Sequence, residues 1–179
     1  MIDKYLIADT ELELESQKRK KEYLEEKVKF EFLNNFENGE WQLKKQYKNG
    51  SAVMYKEKDY KTKIVDKLWM ILYKMGFSSI NNNDNMVFSL GKDEYRIDKQ
   101  IDIIALDDET CIFIDCHASK HLERVSSFIE EIESINKSFR HLCNIIRDVY
   151  GDRKCKYILA TSNILLSDYD IEFGLATLF

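Results

Sequence analysis

The chain has 179 residues, of which 44% are hydrophobic and 33% charged, so its composition is that of a globular protein with a buried core rather than of a disordered chain. No apolar run approaches the roughly 20 residues that a membrane-spanning helix requires, and we therefore expect no membrane segment. The net charge of -5 is unlike the basic balance typical of nucleic-acid-binding domains, although a local basic surface is compatible with it.

The N-terminal part of the chain is highly charged and has a helical spacing of apolar residues. Leu24, Val28 and Phe32 follow one helical face, which predicts a single long charged helix over residues 9–36. We accordingly divide the chain into an N-terminal helical extension, 1–37, and a domain, 38–179. A third function, beside those considered below, is an interaction or homodimerisation domain that uses this helix as a coiled partner surface, although the apolar repeat of the helix is irregular.

A lysine-rich hairpin is predicted next. Short strands over 41–43 and 51–55 are joined by Asn49-Gly50, a turn-forming pair. Lysines and tyrosines alternate in and after these strands, either because the hairpin contacts a nucleic-acid backbone or because the lysines keep an exposed hairpin soluble. The lysines that the first interpretation assigns to DNA binding are Lys44, Lys45, Lys48, Lys56 and Lys58.

The remaining segments alternate between helices and strands. They are predicted as a helix over 62–75, strands over 86–90, 100–106 and 111–116, a helix over 122–149, a strand over 157–161 and a helix that begins near Asp168. The second and third of these strands are almost continuously apolar, which predicts the centre of a sheet covered on both faces. Since the last helix has hardly begun when the sequence stops at Phe179, we expect a piece of a longer protein with a further domain downstream.

The four cysteines favour reduced thiols. No two of them have the CxxC spacing of a zinc or redox motif, and Cys111 and Cys116 lie in or beside an apolar strand, where cysteine is commonly a small buried hydrophobe. This usage, together with the lack of a secretory signal, predicts a cytoplasmic protein.

Two aspartates carry the chemical signal of the sequence. Asp102 lies in one apolar strand and Asp115 ends the next, so a hairpin between them brings the two carboxylates side by side. A shared cation relieves the unfavourable burial of two such charges, and Mg²⁺ or Mn²⁺ suits carboxylate oxygens together with a backbone carbonyl, here that of Cys116. The alternative is that the aspartates end their strands or pair with Lys99 or Lys120.

The order of these segments resembles a known nuclease core. Gln100-Ile101-Asp102-Ile103-Ile104-Ala105 followed by Ile114-Asp115-Cys116-His117 is similar to the PD-(D/E)xK motif. More closely, the chain resembles the nuclease-like N-terminal region of DGQHR-domain proteins, which are related to regulators of DNA sulfur modification. The further matching stretches, within a resemblance that covers roughly 40–175, are Asp66–Trp69, Lys74–Phe77, Asp108–Thr110 and Lys156–Ile164.

This resemblance implies an α/β fold with a restriction-endonuclease-like three-layer core, in which helices flank a mixed central sheet. It implies a metal-dependent DNA endonuclease of a prokaryotic phage-defence or DNA-modification system, with Asp102 and Asp115 as ligands of Mg²⁺ or Mn²⁺. His117 falls where the family has its catalytic lysine. Either His117 orients the attacking water with Lys120 as charge donor, or the domain is an inactive module that binds DNA or another protein.

Overall fold

The computed structural model describes residues 6–36, 40–82, 86–90, 97–124, 129–165 and 176–177. Its elements alternate between strands and helices. In chain order they are β1 (Leu6–Ala8), α1 (Thr10–Arg19), β2 (Tyr23–Lys29), a 3-10 helix (Phe30–Phe36), β3 (Gln42–Gln46), β4 (Ser51–Glu57), α2 (Tyr60–Met75), β5 (Ser79–Asn81), β6 (Met86–Leu90), β7 (Ile97–Ile101), β8 (Ile103–Leu106), β9 (Thr110–Arg124), α3 (Ile129–Tyr150), β10 (Lys154–Leu165) and β11 (Ala176–Thr177).

A mixed sheet of six strands organises the fold. Its order is β1-β5-β8-β9-β10-β11; the first four strands are antiparallel to their neighbours, whereas β9, β10 and β11 run parallel. Smaller antiparallel sheets join β2, β4 and β3, and β6 with β7. The predicted α/β class with a mixed sheet is therefore confirmed.

Helices cover both faces of this sheet. Trp69 and Leu72 of α2 pack on Ile114 and other strand residues of one face, while Leu142 of α3 packs on Phe113 of the other. Successive residues of a strand point to opposite faces, so an unbroken apolar strand supplies both cores at once. The predicted arrangement of a sheet between helical layers is confirmed.

The long helix predicted over 9–36 is wrong. Only α1 is α-helical, since β2 forms a full antiparallel ladder with β4 and a 3-10 helix follows it. Strand pairing outweighs a helical spacing of three apolar residues, because the ladder satisfies the backbone of β2 and buries Val28. Residues before α1 also enter the main sheet, where Ile7 pairs with Ile80.

Two strand boundaries also differ from the prediction. The strand predicted over 100–106 is broken at Asp102, because β7 pairs with β6 whereas β8 pairs with β9. The helix predicted to start at residue 122 begins at Ile129, since β9 continues to Arg124 beside β10. The helix predicted near Asp168 lies outside the described residues.

The described ranges contain no helix that is both long and apolar enough to cross a membrane.

Candidate active site

Asp102 sits at a bend between β7 and β8. Its backbone N–H donates to the carbonyl of Ile114 at 3.0 Å, which holds the bend against β9. Its side chain is fully buried, and Oδ2 accepts a hydrogen bond of 2.7 Å from the backbone N–H of Cys116. Oδ1 is buried as well and has no hydrogen-bond partner among the described residues, so one oxygen of this carboxylate keeps its acceptor capacity.

Asn81, at the end of β5, fixes the backbone on both sides of this bend. Its Nδ2 donates to the carbonyl of Asp102 at 2.9 Å, and its Oδ1 accepts from the N–H of Ile104 at 2.8 Å. Its own carbonyl accepts from the Trp69 indole of α2 at 2.8 Å. One buried side chain therefore ties a helix and two strands to the position of Asp102. The sequence alone indicates no role for Asn81, which lies between the predicted helix over 62–75 and the predicted strand over 86–90.

We expect Asn81→Ala to lower the free energy of unfolding by about 2–4 kcal/mol, because it leaves a buried N–H and a buried C=O without partners. Urea denaturation followed by circular dichroism measures this loss. Asn82→Ala is the matched control, since Asn82 is the exposed neighbour on the same turn. Equal stability of the two variants would contradict the role of Asn81.

Asp115 is the residue of β9 adjacent to Asp102. Ile103 pairs with Ile114 in antiparallel register, so the next position on each strand brings the two aspartates together. Asp115 is almost entirely buried. Burial raises the pKa of Asp102 and the charge of Asp115 raises it further, while the Cys116 N–H and Lys61 lower it. The predicted pair of neighbouring buried carboxylates is thus present.

Lys61, in the first turn of α2, supplies a positive charge to this pair. Its Nζ lies 3.1 Å from Oδ2 of Asp102, and 39% of its side chain is exposed. The side chain of Lys61 therefore contacts the buried carboxylate while part of its surface is open to solvent. No spacing in the sequence indicates this contact, because Lys61 is one of several lysines in and after the predicted hairpin.

His117 and Lys120, the two residues predicted to take the role of the lysine in the PD-(D/E)xK motif, differ in burial and in their neighbours. His117 is half-buried on β9, two residues past Asp115, and pairs in register with Thr161 of β10. Lys120 is exposed further along β9 and, after Lys63, contributes to lowering the pKa of Glu57. Among the described ion pairs, the one that includes Asp102 is formed by Lys61.

The donor set fits an oxygen-liganded cation only. No group of three or more His, Cys, Asp or Glu residues that could hold a metal occurs in the part of the chain that the structure describes. Burial raises the pKa of the Cys116 thiol to about 12. Two carboxylates, one with a free buried oxygen, suit Mg²⁺, which retains several waters, and do not suit the four-ligand sites of Zn²⁺.

Cys116 contacts Asp102 through its backbone N–H, whereas the prediction used its carbonyl oxygen as a metal ligand. That ligand stays a prediction. The side chain of Lys99, the alternative partner of the aspartates, lies outside the described residues.

The lysines predicted to bind DNA do not form one surface. Lys58 is buried, with its Nζ 2.7 Å from Oδ2 of Asp66 and also donating to two carbonyls of α1, so it faces the interior instead of a phosphate backbone. Lys44 pairs with Glu25, and Lys56 lies 3.4 Å from Glu40. Lys45 and Lys48 are exposed on the β3–β4 hairpin.

Asp66 belongs to a separate buried cluster. Its two oxygens accept from Arg19 Nη1 at 2.8 Å and from Lys58 Nζ at 2.7 Å. Arg19 also pairs with Glu15 at 3.2 Å and lies over the ring of Trp69. This cluster joins α1, the end of β4 and α2. The Asp66 carboxylate neutralises Arg19 and Lys58 and is separate from the pair formed by Asp102 and Asp115.

Comparisons with known proteins add no family. No protein-family profile and no curated protein sequence matches the chain. Among solved structures, the crystal structure of protein VC1899 from Vibrio cholerae aligns with 94% of this chain at 16% identity and a TM-score of 0.38. The chain spans 46% of the length of VC1899. A likeness at this level carries no argument about the fold or the function.

Proposed function

We propose that this chain is a metal-dependent DNA endonuclease domain in which Lys61 replaces the lysine that the PD-(D/E)xK motif has at position 117. The observation that carries the proposal is the 3.1 Å contact between Lys61 Nζ and Asp102 Oδ2, beside a second buried aspartate. Two buried carboxylates that can hold a cation, beside a partly exposed lysine, suit metal-dependent hydrolysis of a phosphodiester.

Each residue has a distinct role in this proposal. Asp102 and Asp115 would hold Mg²⁺ or Mn²⁺, which when bound lowers the pKa of a water and polarises the phosphate. The Lys61 ammonium reaches solvent from its contact with Asp102, so it can orient the attacking water and stabilise the negative charge that develops on the phosphate oxygens. His117, two residues past Asp115 on β9, would then not be needed as the fixed cation.

The biological setting follows from the resemblance of the sequence. We expect the domain to act on DNA within a prokaryotic defence or DNA-modification system, together with a further domain of the same protein. The pair of aspartates specifies no target sequence, so recognition would come from that further domain or from the surface around the site.

The alternative function is a nuclease-like module that binds DNA or a protein without cutting. His117 in place of the family's lysine favours it, as does the net charge of -5. In that case the ion pair of Lys61 with Asp102 is structural and neutralises a buried carboxylate that no longer holds a metal.

Cleavage of supercoiled plasmid DNA separates the two functions. We expect the wild-type protein, freed of metal with EDTA, to nick plasmid on addition of Mg²⁺ or Mn²⁺, and Asp102→Ala to show no more than background. The same metal should raise the melting temperature of the wild type and leave that of Asp102→Ala unchanged. Cleavage that appears only in His117→Lys would instead establish the inactive module, and equal cleavage by Asp102→Ala would reveal a contaminating nuclease.

A further inference from the structure

A strongly cationic cavity lies on the outer side of α2, against the end of α1. Its volume is about 540 Å³. Seven lysine and arginine residues and two acids line it, which leaves a formal charge of +5 on a chain whose net charge is -5. The lysines of its rim are Lys20, Lys21, Lys63, Lys67 and Lys74. Such a local reversal of sign concentrates anions.

The cavity is built on the buried cluster of Asp66. Arg19 and Lys58 line its inner wall, and each has only 4% of its side chain exposed. Their charges are balanced by Glu15 and Asp66, at 3.2 Å from Arg19 Nε and 2.7 Å from Lys58 Nζ respectively. Because this inner wall is already neutralised and Lys21 pairs with Glu25, the excess positive charge belongs to the other lysines of the rim.

The rim lysines differ in how far they are already paired. Lys63 lies 2.7 Å from Glu57 and 3.6 Å from Glu22. Lys67 and Lys74 are exposed on the same face of α2, and no ion pair among the described residues includes either of them. Two ammonium groups about two turns apart on a helix are therefore available to an anion.

Apolar side chains complete the cavity. Met70 and Ile71 lie between Lys67 and Lys74 along α2, and Ile71 is 50% exposed. A ligand that fits this wall carries several negative charges, spaced to reach ammonium groups roughly 10 Å apart, and a flat apolar surface beside them, within the volume of a small molecule. We propose that the cavity binds a nucleotide, with its phosphates on the rim lysines and its base against Met70 and Ile71.

This site is independent of the proposed nuclease centre. The rim lysines of α2 are rotated by roughly 120–160° around the helix from Lys61, which faces Asp102. A DNA strand at the aspartates therefore does not occupy the cavity, and the two proposals fail or hold separately.

Isothermal titration with ATP at low salt, in EDTA, tests the proposal without engaging the aspartates. We expect wild type and Asp102→Ala to bind equally. The double variant Lys67→Glu/Lys74→Glu should bind at least about tenfold more weakly, because two attractive charges become repulsive. Lys27→Glu/Lys29→Glu, which makes the same charge change on exposed residues of β2, is the matched control and should bind like wild type.

Three outcomes would overturn the nucleotide site. The first is no ATP binding by the wild type at millimolar ATP. The second is an equal loss of affinity in the control double variant, which would mean that ATP responds only to overall charge. The third is displacement of ATP by a short single-stranded oligonucleotide at lower concentration, with the same dependence on Lys67 and Lys74, which would assign the cavity to a nucleic-acid strand.

Discussion

Plasmid cleavage by Lys61→Met is expected to fall by about 10²–10³-fold relative to wild type, the effect of removing one preorganised charge from a phosphate transition state. Lys61 is the cation that contacts Asp102, at 3.1 Å, and 39% of its side chain reaches solvent where a phosphate would approach. Methionine keeps the length and apolar stem of lysine, so the change removes the ammonium with little loss of packing. Initial rates on supercoiled DNA in Mg²⁺ measure the effect.

Two further variants test whether a loss of cleavage in Lys61→Met comes from the loss of the Lys61 charge. Lys61→Arg keeps the charge and should restore part of the activity, whereas a purely structural ion pair would predict no gain in rate over Lys61→Met. Lys120→Met is the matched control, since Lys120 is exposed on β9 and was the charge donor expected from the sequence. If Lys120→Met lost cleavage and Lys61→Met kept it, the role that we give to Lys61 would be wrong.

Asp66→Ala should lower the free energy of unfolding by about 3–5 kcal/mol, since removing one partner of a buried ion pair leaves an uncompensated charge. Here the Asp66 carboxylate forms ion pairs with two cations, Arg19 at 2.8 Å and Lys58 at 2.7 Å. The side chains of both cations are only 4% exposed. Urea denaturation of the two proteins measures the difference.

The control for this experiment lies on the same helix. Asp59 is the N-cap of α2 and accepts from the N–H of Thr62 at 2.7 Å, so Asp59→Ala should lower the free energy of unfolding by only about 1 kcal/mol. Both variants lose one carboxylate from the start of α2, and they differ in burial. A loss in Asp66→Ala no larger than that in Asp59→Ala would show that Arg19 and Lys58 are adequately held by Glu15 and the backbone carbonyls.

The central hairpin of the fold could be predicted from the sequence because its signal is local. Two apolar runs with one acid each, joined by a short polar turn, are enough to place Asp102 and Asp115 on adjacent strands. The same reasoning predicted α2 and its end, where Gly76 has the left-handed φ of 88° that glycine tolerates best.

The residues that complete the site could not be predicted, because they depend on which elements pack together. Lys61 meets Asp102 only when the start of α2 lies over the bend after β7, a contact that no spacing in the sequence encodes. Asn81 likewise acts through two strands and a helix. Lys58 looked like its exposed neighbours, and its burial depends on Asp66 and on the carbonyl end of α1.

The pairing of β1 with β5 constrains the order in which strands can pair while the protein folds during synthesis. Leu6 lies opposite Asn81, so β1, the first described strand to leave the ribosome, stays unpaired until roughly 75 more residues have been synthesised. β5 is only three residues long, and it carries β1 on one edge and β8 on the other. The last residue of that short strand also holds the backbone of Asp102. The pairing of β1 and the backbone position of Asp102 therefore depend on the same three residues, and neither is complete until they are in place.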